Sequence, residues 1–510
     1  MSYDLNELRK EIDAVDLELL DVIEKRMAVS RKIGVCKREQ GKDILDSARE
    51  SLKTEALKAN AGFESREYID EIYKTIFEVS RQHQLKPCFG LLGRTLGHSY
   101  SPQIHSLMTN EYSYTIIERE PEELDELFSS GVYGGFNVTI PYKKDAFARC
   151  DVTDKAASET GSVNTVVFGK DGKTYGYNTD YYGFMYMLRA KGIDPAGKSI
   201  LVLGTGGAAC AVNYGLETMN AGTVRNCDLN TEINYSNVYD ICSDSQIIVN
   251  CTPVGMYPKV DGMVIDLDRF EKLEAVCDVV YNPSRTKLLQ EAEKRGLKTA
   301  GGLSMLVAQA YKSSRFFVGD NEGAERIDSA AEEVIGSVVS TLESQMRNIT
   351  IIGMPGCGKS MFARMLAERT GRTLVDLDQA YAEKIGETPA DTINNEGEDQ
   401  FRLNETEVAK EYLIRSGLII SCGGGIITQD RNMFYLKCNS NVIYLDRPLD
   451  MLAKKDRPLS AAKGVEVLYN QRKDKYESAA DIRITLDRFE DKNDFFNEAV
   501  RIMNEKGMNI

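Results

Sequence analysis

The stretch "IIGMPGCGKS" (351–360) fits the pattern G-x-x-x-x-G-K-[ST] of a phosphate-binding loop. The segment "ITIIG" before the loop is apolar and strand-like, and the helical pattern after it stops at Gly371. In this motif the loop amides and the lysine bind nucleotide phosphates, and the final hydroxyl ligates Mg²⁺. The sequence therefore predicts an α/β P-loop domain that binds ATP with Mg²⁺. The expected contacts are Gly356, Cys357, Gly358, Lys359 and Ser360.

Length and composition bound the rest of the chain. At 510 residues it predicts roughly three domains. The net charge of −15 argues against nonspecific binding to nucleic acid or to anionic membranes. The N-terminus is charged, no apolar run approaches a membrane span, and the 11 cysteines are scattered without a C-x-x-C pair. We therefore expect a cytoplasmic protein with small-molecule substrates and with no nucleic-acid or membrane partner.

Residues 1–85 show helical periodicity only. An apolar seam with alternating spacings of four and three residues runs along a first helix, and a second helix carries an apolar face. The seam positions are Leu8, Ile12, Val15, Leu19, Val22, Arg26, Val29 and Ile33, and the second face holds Ile69, Ile72, Tyr73, Ile76 and Phe77. These patterns alone favour a helical dimerisation module.

Two basic residues interrupt this apolar pattern. Arg26 lies on the seam and Lys37 continues it, and a buried cation must meet an anion. That anion is either an acidic side chain of the protein, in an internal salt bridge, or an anionic ligand. The sequence pattern is compatible with both. Arg9 and Arg26 lie roughly 25 Å apart along one helix, which no small ligand spans. If both serve one site, they come from different chains, which predicts a homodimer through residues 1–85.

The stretch "LRKEIDAVDLELLDVIEKRMAVSRKIGVCKREQGKDILDSARE" (8–50), with Ser80 and Gln84, resembles the all-helical chorismate mutases. In that family the helices of two chains intertwine and chorismate rearranges to prephenate. No nucleophile is needed, because the protein holds a reactive conformer and stabilises charge on the ether oxygen. The resemblance implies that Arg9 and Arg26 bind carboxylates, Lys37 and Gln84 donate to the ether oxygen, and Asp46 and Glu50 hold the ring hydroxyl, with Arg49 and Ser80 completing the site. A module that only dimerises or senses chorismate is the alternative.

Residues 88–343 alternate strand-like and helical patterns. The segment "SILVLGTGGAACAVNYGL" (199–216) predicts a strand, a glycine-rich turn and a helix, which suits a pyrophosphate at the helix N-terminus. By itself it also fits a tight strand–helix connection. Four polar stretches lie upstream, and each alone also fits a turn. They are "GHSYSPQIH" (97–105), "FNVTIPYKK" (136–144), "GSVNTV" (161–166) and "GYNTDYYG" (176–183).

Together with "NCTPVGMYP" (250–258), "DVVYNPSRTKLL" (278–289) and "GGLSMLVAQA" (301–310), these stretches resemble shikimate dehydrogenase. The resemblance implies a substrate lobe, a Rossmann-like nucleotide lobe, and reduction of 3-dehydroshikimate to shikimate by a nicotinamide cofactor. Quinate as a substrate stays open. Lys143 and Asp180 would be the catalytic pair that relays the proton. Substrate contacts would be Ser99, Ser101, Thr139, Asn164, Tyr281 and Gln309, and cofactor contacts Gly204, Gly206, Gly207, Ala208 and Gly302.

The stretch "VRNCDLNTE" (224–232) bears on the choice between NAD and NADP. Many family members carry an Asn-Arg-Thr/Ser motif here, whose arginine holds the 2′-phosphate of NADP. In this chain Asp228 stands about where a strand would end, near the offset at which an acid accepts the ribose 2′-hydroxyl of NAD. We therefore predict NAD preference. If the strand ends earlier, Arg225 turns toward the 2′-phosphate, and the enzyme prefers NADP instead.

Residues 346–510 resemble shikimate kinase. The carrying motifs are "LVDLD" (374–378), "GEDQFRLNE" (397–405), "IISCGGGI" (419–426), "KDRPLS" (455–460) and the pair Arg472 and Tyr476. The resemblance implies ATP-dependent 3-phosphorylation of shikimate. Arg402 and Arg472 would grip its carboxylate, with Gly424 nearby, and Asp378 its hydroxyls. Asp376 would hold Mg²⁺ with Ser360, and Arg457, in a predicted lid, would contact the nucleotide and stabilise transferring phosphoryl charge. A nucleotide-binding switch is the alternative.

The predicted organisation is multidomain and combines three folds. Residues 1–87 form an all-α intertwined mutase module, and residues 346–510 form the α/β P-loop kinase. Between them, residues 88–343 form a two-lobed α/β dehydrogenase, with a substrate lobe (88–183), a nucleotide lobe (184–310) and C-terminal helices (311–343). The segment 325–348 carries no Pro and little Gly, so we expect a packed helix there. The leading hypothesis is a trifunctional enzyme; the alternative is a bifunctional dehydrogenase–kinase with a helical sensor or dimerisation module.

Overall fold

The computed structural model describes residues 4–62, 65–97, 99–452, 464–485, 491–508 and 510. Its contacts divide the chain into two compact units. The first unit joins Met1–Thr179 to Gln309–Arg326, and the second joins Asp180–Ala308 to Ile327–Ile510. No described helix is both long and apolar enough to span a membrane.

The first unit opens with three helices: α1 (Leu5–Glu39), α2 (Ser47–Asn60) and α3 (Ile69–Leu85). α1 and α3 approach closely, since a Cβ added to Gly34 would lie 2.9 Å from the Cα of Gln84. Ser30 on α1 and Ser80 on α3 are buried at this contact. The sequence prediction of helices only is confirmed for the described residues of this segment, and α1 is long enough to carry both Arg9 and Arg26.

A six-stranded mixed sheet follows these helices in the first unit. Its strand order is β2-β1-β3-β5-β6-β4, and β3/β5 and β5/β6 pair antiparallel. The strands are β1 (Cys88–Gly93), β2 (Ser113–Glu118), β3 (Gly135–Val138), β4 (Val152–Thr153), β5 (Thr165–Phe168) and β6 (Thr174–Tyr177). The helices are α4 (Ser101–Met108), α5 (Leu124–Ser129), α6 (Lys143–Ala148) and α7 (Lys155–Thr160). Leu92, Phe136 and Val166 lie in the core of this sheet with no exposed surface.

The second unit begins with a five-stranded parallel sheet in the order β11-β10-β9-β7-β8. Its strands are β7 (Ser199–Leu203), β8 (Thr223–Cys227), β9 (Ile247–Asn250), β10 (Ala275–Asp278) and β11 (Lys298–Gly301). The helices around them are α8 (Asp180–Ala190), α9 (Gly207–Thr218), α10 (Val238–Ile241) and α11 (Lys287–Lys294). Along β7, Ile200 and Val202 join the core on one face and Leu201 and Leu203 the core on the other. Helices covering both faces explain the uninterrupted apolar run of this strand.

Three helices follow this sheet: α12 (Leu303–Phe317), α13 (Asn321–Ala324) and α14 (Ser329–Met346). The division into units falls within α12, after Ala308. The predicted packed helix over 325–348 is confirmed by α14, which buries Ile335, Val338 and Leu342.

The second unit ends in another five-stranded parallel sheet, in the order β13-β14-β12-β15-β16. The strands are β12 (Asn348–Ile352), β13 (Leu374–Asp376), β14 (Ile419–Ser421), β15 (Ser440–Asp446) and β16 (Ile482–Thr485). The helices are α15 (Lys359–Thr370), α16 (Leu377–Ile385), α17 (Pro389–Glu396), α18 (Glu398–Leu413), α19 (Asp430–Cys438), α20 (Val465–Ala479) and α21 (Lys492–Glu505). β12 leads through the phosphate-loop motif into α15, which ends at Gly371 with φ +69°, as the sequence predicted.

Candidate active sites

The helical module places several predicted mutase residues around the contact of α1 with α3. The Arg26 guanidinium donates to the Ser80 hydroxyl and lies 5.7 Å from the Phe77 ring centroid. Gln84 Nε2 donates to Ser30 Oγ at 3.1 Å. Ser30, Ser80 and Gln84 are buried, so this is a polar pocket within an otherwise apolar contact. In this structure the partner of Arg26 is therefore the Ser80 hydroxyl, whereas the sequence was compatible with either a salt bridge or an anionic ligand.

Of the remaining mutase positions, Lys37, Asp46, Arg49 and Glu50 lie in α2 or in contact with the residues just before it. Lys37 Nζ donates to the Ile44 carbonyl at 2.6 Å, and Asp46 caps α2 by accepting from Arg49 N at 3.0 Å. Glu50 accepts two hydrogen bonds from Arg81, at 2.7 and 2.6 Å. Arg81 was not predicted, although it follows Ser80 directly on the same helix. Arg9 is exposed.

In the first unit, the substrate positions of the dehydrogenase lie on loops next to the sheet. Ser101 N donates to Ser99 Oγ at 3.2 Å, which fixes the turn into α4. Thr139 follows β3, and its N–H donates to the Leu92 carbonyl at 2.9 Å. Lys143 is the first residue of α6, and its carbonyl accepts from Val163 N at 3.0 Å.

A buried hydrogen-bond network holds Asn164 and Gln309. Asn164 Oδ1 accepts from Thr179 N at 2.8 Å, and Asn164 Nδ2 donates to Gln309 Oε1 at 3.5 Å. Ser313, which has no exposed surface, is the centre of this network. Its hydroxyl lies 2.8 Å from Thr165 Oγ1 and 3.1 Å from Thr179 Oγ1, accepts from Asn137 at 2.8 Å, and donates to the Gln309 carbonyl at 2.9 Å. Sequence analysis did not single out Ser313, which lies one helical turn after Gln309.

In the second unit, the dinucleotide turn has the predicted form. Gly204 has φ +101°, a conformation that favours glycine, and Gly206 caps α9. A Cβ added to Gly206 or to Gly207 would meet no atom within 4 Å, so the turn is open to a ligand. An open turn at the N-terminus of α9 fits a pyrophosphate, because the helix amides point toward it.

Other predicted dehydrogenase residues of the second unit lie at element ends. Asp180 is the first residue of α8, and Tyr281 follows β10. A Cβ added to Gly302 would lie 2.0 Å from the Val279 carbonyl oxygen, so only glycine fits there. Ala208 lies in the first turn of α9.

The residues that bear on cofactor choice lie at the carboxyl ends of β7 and β8. β8 runs to Cys227, so Asp228 follows the strand directly, as predicted. Thr205 Oγ1 donates to Asp228 Oδ2 at 2.6 Å and lowers the pKa of Asp228 below its ordinary value. Arg225 lies inside the strand and binds Asp244 at 2.8 Å.

The phosphate loop of the last sheet encloses Lys359. Gly353, Gly356 and Gly358 have φ of +148°, +88° and +103°, which side chains rarely adopt. Lys359 Nζ donates to the carbonyls of Gly353 and Met354, at 3.0 Å each. Cys357 is buried beneath the loop. The loop can receive phosphate oxygens on its amides, with the lysine held at its centre.

Hydroxyl and carboxylate oxygens gather beside this loop. Ser360 Oγ donates to Asp376 Oδ2 at 2.7 Å and lies 3.2 Å from Ser421 Oγ. Mg²⁺ prefers such oxygen ligands, so the donor set fits the metal predicted at Ser360 and Asp376. The strand β13 ends at Asp376, and Asp378 lies in the first turn of α16, where its N–H donates to Asp376 Oδ1 at 3.1 Å.

Two buried arginines flank the glycines 423–425. Arg402 Nη1 donates to Glu405 Oε2 at 2.6 Å, with side chains only 6% and 7% exposed. Burial raises the pKa of Glu405 above its ordinary value, and Arg402 opposes that shift. Arg472 Nη1 donates to the Gly424 carbonyl at 3.1 Å.

The same glycine segment has two further neighbours. A Cβ on Gly423 would lie 2.9 Å from Asp378 Oδ1, so Asp378 also borders this segment. Tyr476 donates to the Gly424 carbonyl oxygen that also accepts from Arg472. The structure thus brings Asp378, Arg402, Gly424 and Arg472 together. The predicted Arg457 lies outside the described residues.

Family models match three successive parts of the chain. "Chorismate mutase type II" matches residues 8–85, "Shikimate dehydrogenase substrate binding domain" residues 91–166, and "Shikimate kinase" residues 355–503. A shikimate dehydrogenase (NADP(+)) of Clostridium perfringens is 37% identical over 268 residues, which cover 48% of this chain and 96% of that protein. The chain belongs to the shikimate dehydrogenase family.

Two further similar proteins carry related names. The shikimate dehydrogenase (NADP(+)) of Caldicellulosiruptor bescii is 36% identical over 251 residues, 44% of this chain and 86% of that protein. A solved chorismate mutase/shikimate 5-dehydrogenase fusion protein from Clostridium acetobutylicum is 33% identical, with a TM-score of 0.46, and covers 50% of this chain and 97% of that chain.

This shikimate dehydrogenase family member carries a mutase domain before its dehydrogenase domain and a kinase domain after it. The predicted order of three domains is confirmed. The chain is a trifunctional enzyme of the shikimate pathway, and the bifunctional alternative is not favoured.

Proposed function

We propose that each of the three domains catalyses its reaction with the residues predicted from the sequence. The products are prephenate from chorismate, shikimate from 3-dehydroshikimate, and shikimate 3-phosphate from shikimate. The observation that carries this proposal is the kinase site, where the phosphate loop and the buried pair Arg402–Glu405 belong to one small domain. A nucleotide switch has no need of a buried arginine packed against the glycine segment 423–425, whereas a kinase for a carboxylate substrate does.

At the kinase site, the substrate carboxylate binds Arg402 and Arg472, and Asp378 accepts from its hydroxyls. Glu405 holds Arg402 in place through the 2.6 Å hydrogen bond. Ser360 and Asp376 would hold Mg²⁺, which supplies positive charge next to the nucleotide phosphates. Arg457 would add charge where the phosphoryl group transfers.

At the dehydrogenase site, we assign proton relay to Lys143 and Asp180. Ser99, Ser101 and Thr139 position the carboxylate and hydroxyls of the substrate from the first unit, with Asn164 and Gln309. Tyr281 is the remaining proposed substrate contact. Gly204, Gly206, Gly207, Ala208 and Gly302 would hold the nicotinamide cofactor, which would supply hydride transfer when bound.

For the cofactor, we propose NAD preference. Asp228 follows β8, is held by Thr205, and carries a lowered pKa, so it is a charged acceptor for a ribose 2′-hydroxyl. Arg225, the residue that would restore NADP, is inside the strand and paired with Asp244. The relatives from Clostridium perfringens and Caldicellulosiruptor bescii are both named as NADP(+) enzymes. The proposed NAD preference would therefore distinguish this chain from them, and Asp228 is the residue to test.

At the mutase site, we propose a homodimer through residues 1–85. Seven of the seam residues are apolar and between 41% and 60% exposed in a single chain, including Leu8, Ile12 and Val22. Such a continuous apolar stripe calls for a covering partner, and a second copy supplies both the cover and the distant Arg9. Lys37 and Gln84 donate to the ether oxygen, and Asp46 and Glu50 hold the ring hydroxyl.

The boundaries 1–87, 88–343 and 346–510 stand as our proposed domains. We also propose a cytoplasmic location, supported by the 11 free cysteines of the structure.

One experiment tests the assignment of the two consecutive steps. Full-length enzyme receives 3-dehydroshikimate, reduced nicotinamide, ATP and Mg²⁺, and the products are identified by mass spectrometry. Wild type should form shikimate 3-phosphate, whereas Lys359→Ala should accumulate shikimate and Lys143→Ala should leave 3-dehydroshikimate unchanged. A Lys359→Ala enzyme that accumulates no shikimate would show the assignment to be wrong.

A further inference from the structure

Within the second unit, residues of the dehydrogenase nucleotide lobe donate hydrogen bonds to the C-terminal end of the kinase helix α19. The Cys438 carbonyl accepts from Arg285 N at 3.0 Å and from Ser284 Oγ at 3.1 Å. One turn earlier, the Phe434 carbonyl accepts from Gln290 Nε2 at 3.2 Å. The last carbonyls of a helix lack partners in the helix itself and must find them elsewhere. Here the dehydrogenase lobe supplies them.

Asn439, which follows this helix, joins the two domains through its side chain. Its Oδ1 accepts from Ser284 N at 2.7 Å, and its Nδ2 donates to Asn282 Oδ1 at 3.0 Å. Its backbone carbonyl accepts from Asn348 N at 2.7 Å, at the start of the strand β12 that carries the phosphate loop. Asn439 is 1% exposed. A buried network with matched donors and acceptors holds its members in one arrangement.

A second contact lies at Val260 and Asp261 of the dehydrogenase lobe. Val260 has no exposed surface and belongs to the kinase hydrophobic core, which also contains Leu436 and Leu413. Asp261 Oδ1 accepts from the Tyr435 hydroxyl at 2.6 Å, and its other oxygen accepts from Lys410. The kinase core is therefore completed by a side chain from outside the kinase domain.

From these contacts we infer that the nucleotide lobe and the kinase domain form one cooperative folding unit, so that a ligand bound at the kinase site stabilises both. Two independent sets of contacts carry this inference: a shared apolar core and a helix end bonded by the other domain. Asn282, Ser284 and Arg285, which contact α19 and Asn439, follow directly after Tyr281, a proposed substrate residue of the dehydrogenase.

Hydrogen exchange of the full-length protein, with and without ATP and Mg²⁺, tests the inference. In a cooperative unit the backbone amides of the dehydrogenase strands β9 and β10 exchange by the same unfolding event as those of the kinase strand β12. At an ATP concentration 100 times its Kd, all three strands should then exchange about 100-fold more slowly. Slowing in β12 without slowing in β9 and β10 would overturn the inference.

Three variants separate this effect from other causes. In Lys359→Ala, which loses a phosphate contact, the slowing in β9 and β10 should vanish; if it persists, ATP acts at the nucleotide lobe itself and the inference is wrong. In Asp261→Ala, ATP should slow amide exchange in β9 and β10 at least severalfold less than in wild type, while its effect on β12 should be unchanged. Lys384→Ala is the control, because it removes an ion pair within the kinase domain, Lys384–Glu411 at 2.8 Å, that is about as exposed as the Lys410–Asp261 pair. This variant should keep the slowing of exchange by ATP both in β12 and in β9 and β10.

Discussion

Thr205 Oγ1 donates a 2.6 Å hydrogen bond to Asp228 Oδ2 at the carboxyl ends of two neighbouring strands. The bond fixes a charged carboxylate beside the open turn of Gly206 and Gly207. A 2′-phosphate placed there would be repelled, since two unit charges 4 Å apart interact by about 4 kcal/mol at an effective dielectric of 20.

This relationship predicts NAD preference. If only a quarter of that repulsion acts, kcat/KM for shikimate oxidation favours NAD by roughly fivefold. Asp228→Ala should improve the value with NADP, and the exposed Asp240→Ala should leave both values unchanged. The measurement is kcat/KM with each cofactor, and a clear NADP preference in wild type contradicts the prediction.

A second prediction concerns the mutase homodimer. If Arg9 acts in the partner's site, Arg9→Ala and Lys37→Ala are each inactive, but a mixed dimer contains one site free of both changes. Equal mixing after subunit exchange should restore about a quarter of the wild-type prephenate formation. The control is each variant mixed with itself. An active monomer in sedimentation, or no recovery in the mixture, contradicts the dimer.

Ser313 is predicted to position Asn164 and Gln309 for the dehydrogenase substrate. Ser313→Ala leaves buried partners without their hydrogen bonds, which costs about 1–3 kcal/mol. We expect KM for shikimate to rise roughly tenfold while kcat changes less, because the amides lose their orientation. The neighbouring Ser314→Ala, whose hydroxyl donates to the Tyr311 carbonyl at 2.7 Å, is the matched control. Equal KM values for Ser313→Ala and Ser314→Ala would contradict the prediction that Ser313 positions Asn164 and Gln309.

Gly425 offers a steric test of the kinase site. Its φ of −105° suits any residue, but an added Cβ would lie 2.2 Å from Arg402 Nη2. Gly425→Ala should therefore displace the guanidinium and raise the kinase KM for shikimate at least tenfold, with dehydrogenase activity retained. Gly336→Ala adds a Cβ that meets nothing within 4 Å and should be silent. An unchanged KM in Gly425→Ala would place the substrate carboxylate elsewhere.

Asp154 predicts a pH dependence of stability. Burial raises its pKa from 3.8 to about 6, although Ala157 N donates to it at 2.7 Å. The folded state therefore binds this proton more tightly than the unfolded state. The free energy of unfolding should fall by up to about 3 kcal/mol as pH rises from about 4 to about 6, and level off above.

Urea unfolding from pH 4 to 7 measures this dependence. Asp154→Asn should flatten it, while Asp151→Asn, at an exposed carboxylate that accepts from Thr174 N, should retain it. The same slope in wild type and Asp154→Asn would contradict the prediction.

Local patterns predicted much of this fold. The phosphate loop, the glycine turn at 204–207 and the helical seam each depend on spacing within one element, so sequence alone identifies them. The motif "LVDLD" does not itself show where β13 ends: the strand stops at Asp376, because this residue caps the next helix by accepting from Asp378 N.

Contacts between distant segments were beyond the sequence. Arg26 was known only as a cation on an apolar stripe, and its partner Ser80 depends on how α1 and α3 align. Ser313 and Thr165 meet across 148 positions of the chain, and Ser313 looks like any small residue on a buried helix face. Asn439 and Ser284 likewise meet only through packing, and nothing in either local sequence marks the contact.

One chain is proposed to perform three reactions. The most direct measurement supplies purified wild-type enzyme with 3-dehydroshikimate, reduced nicotinamide, ATP and Mg²⁺ in one vessel and with chorismate alone in another, and follows products by mass spectrometry and absorbance. We expect shikimate 3-phosphate in the first vessel and prephenate in the second, and no prephenate with Lys37→Ala. Unchanged chorismate in the presence of wild-type enzyme, or shikimate that is never phosphorylated, would contradict it.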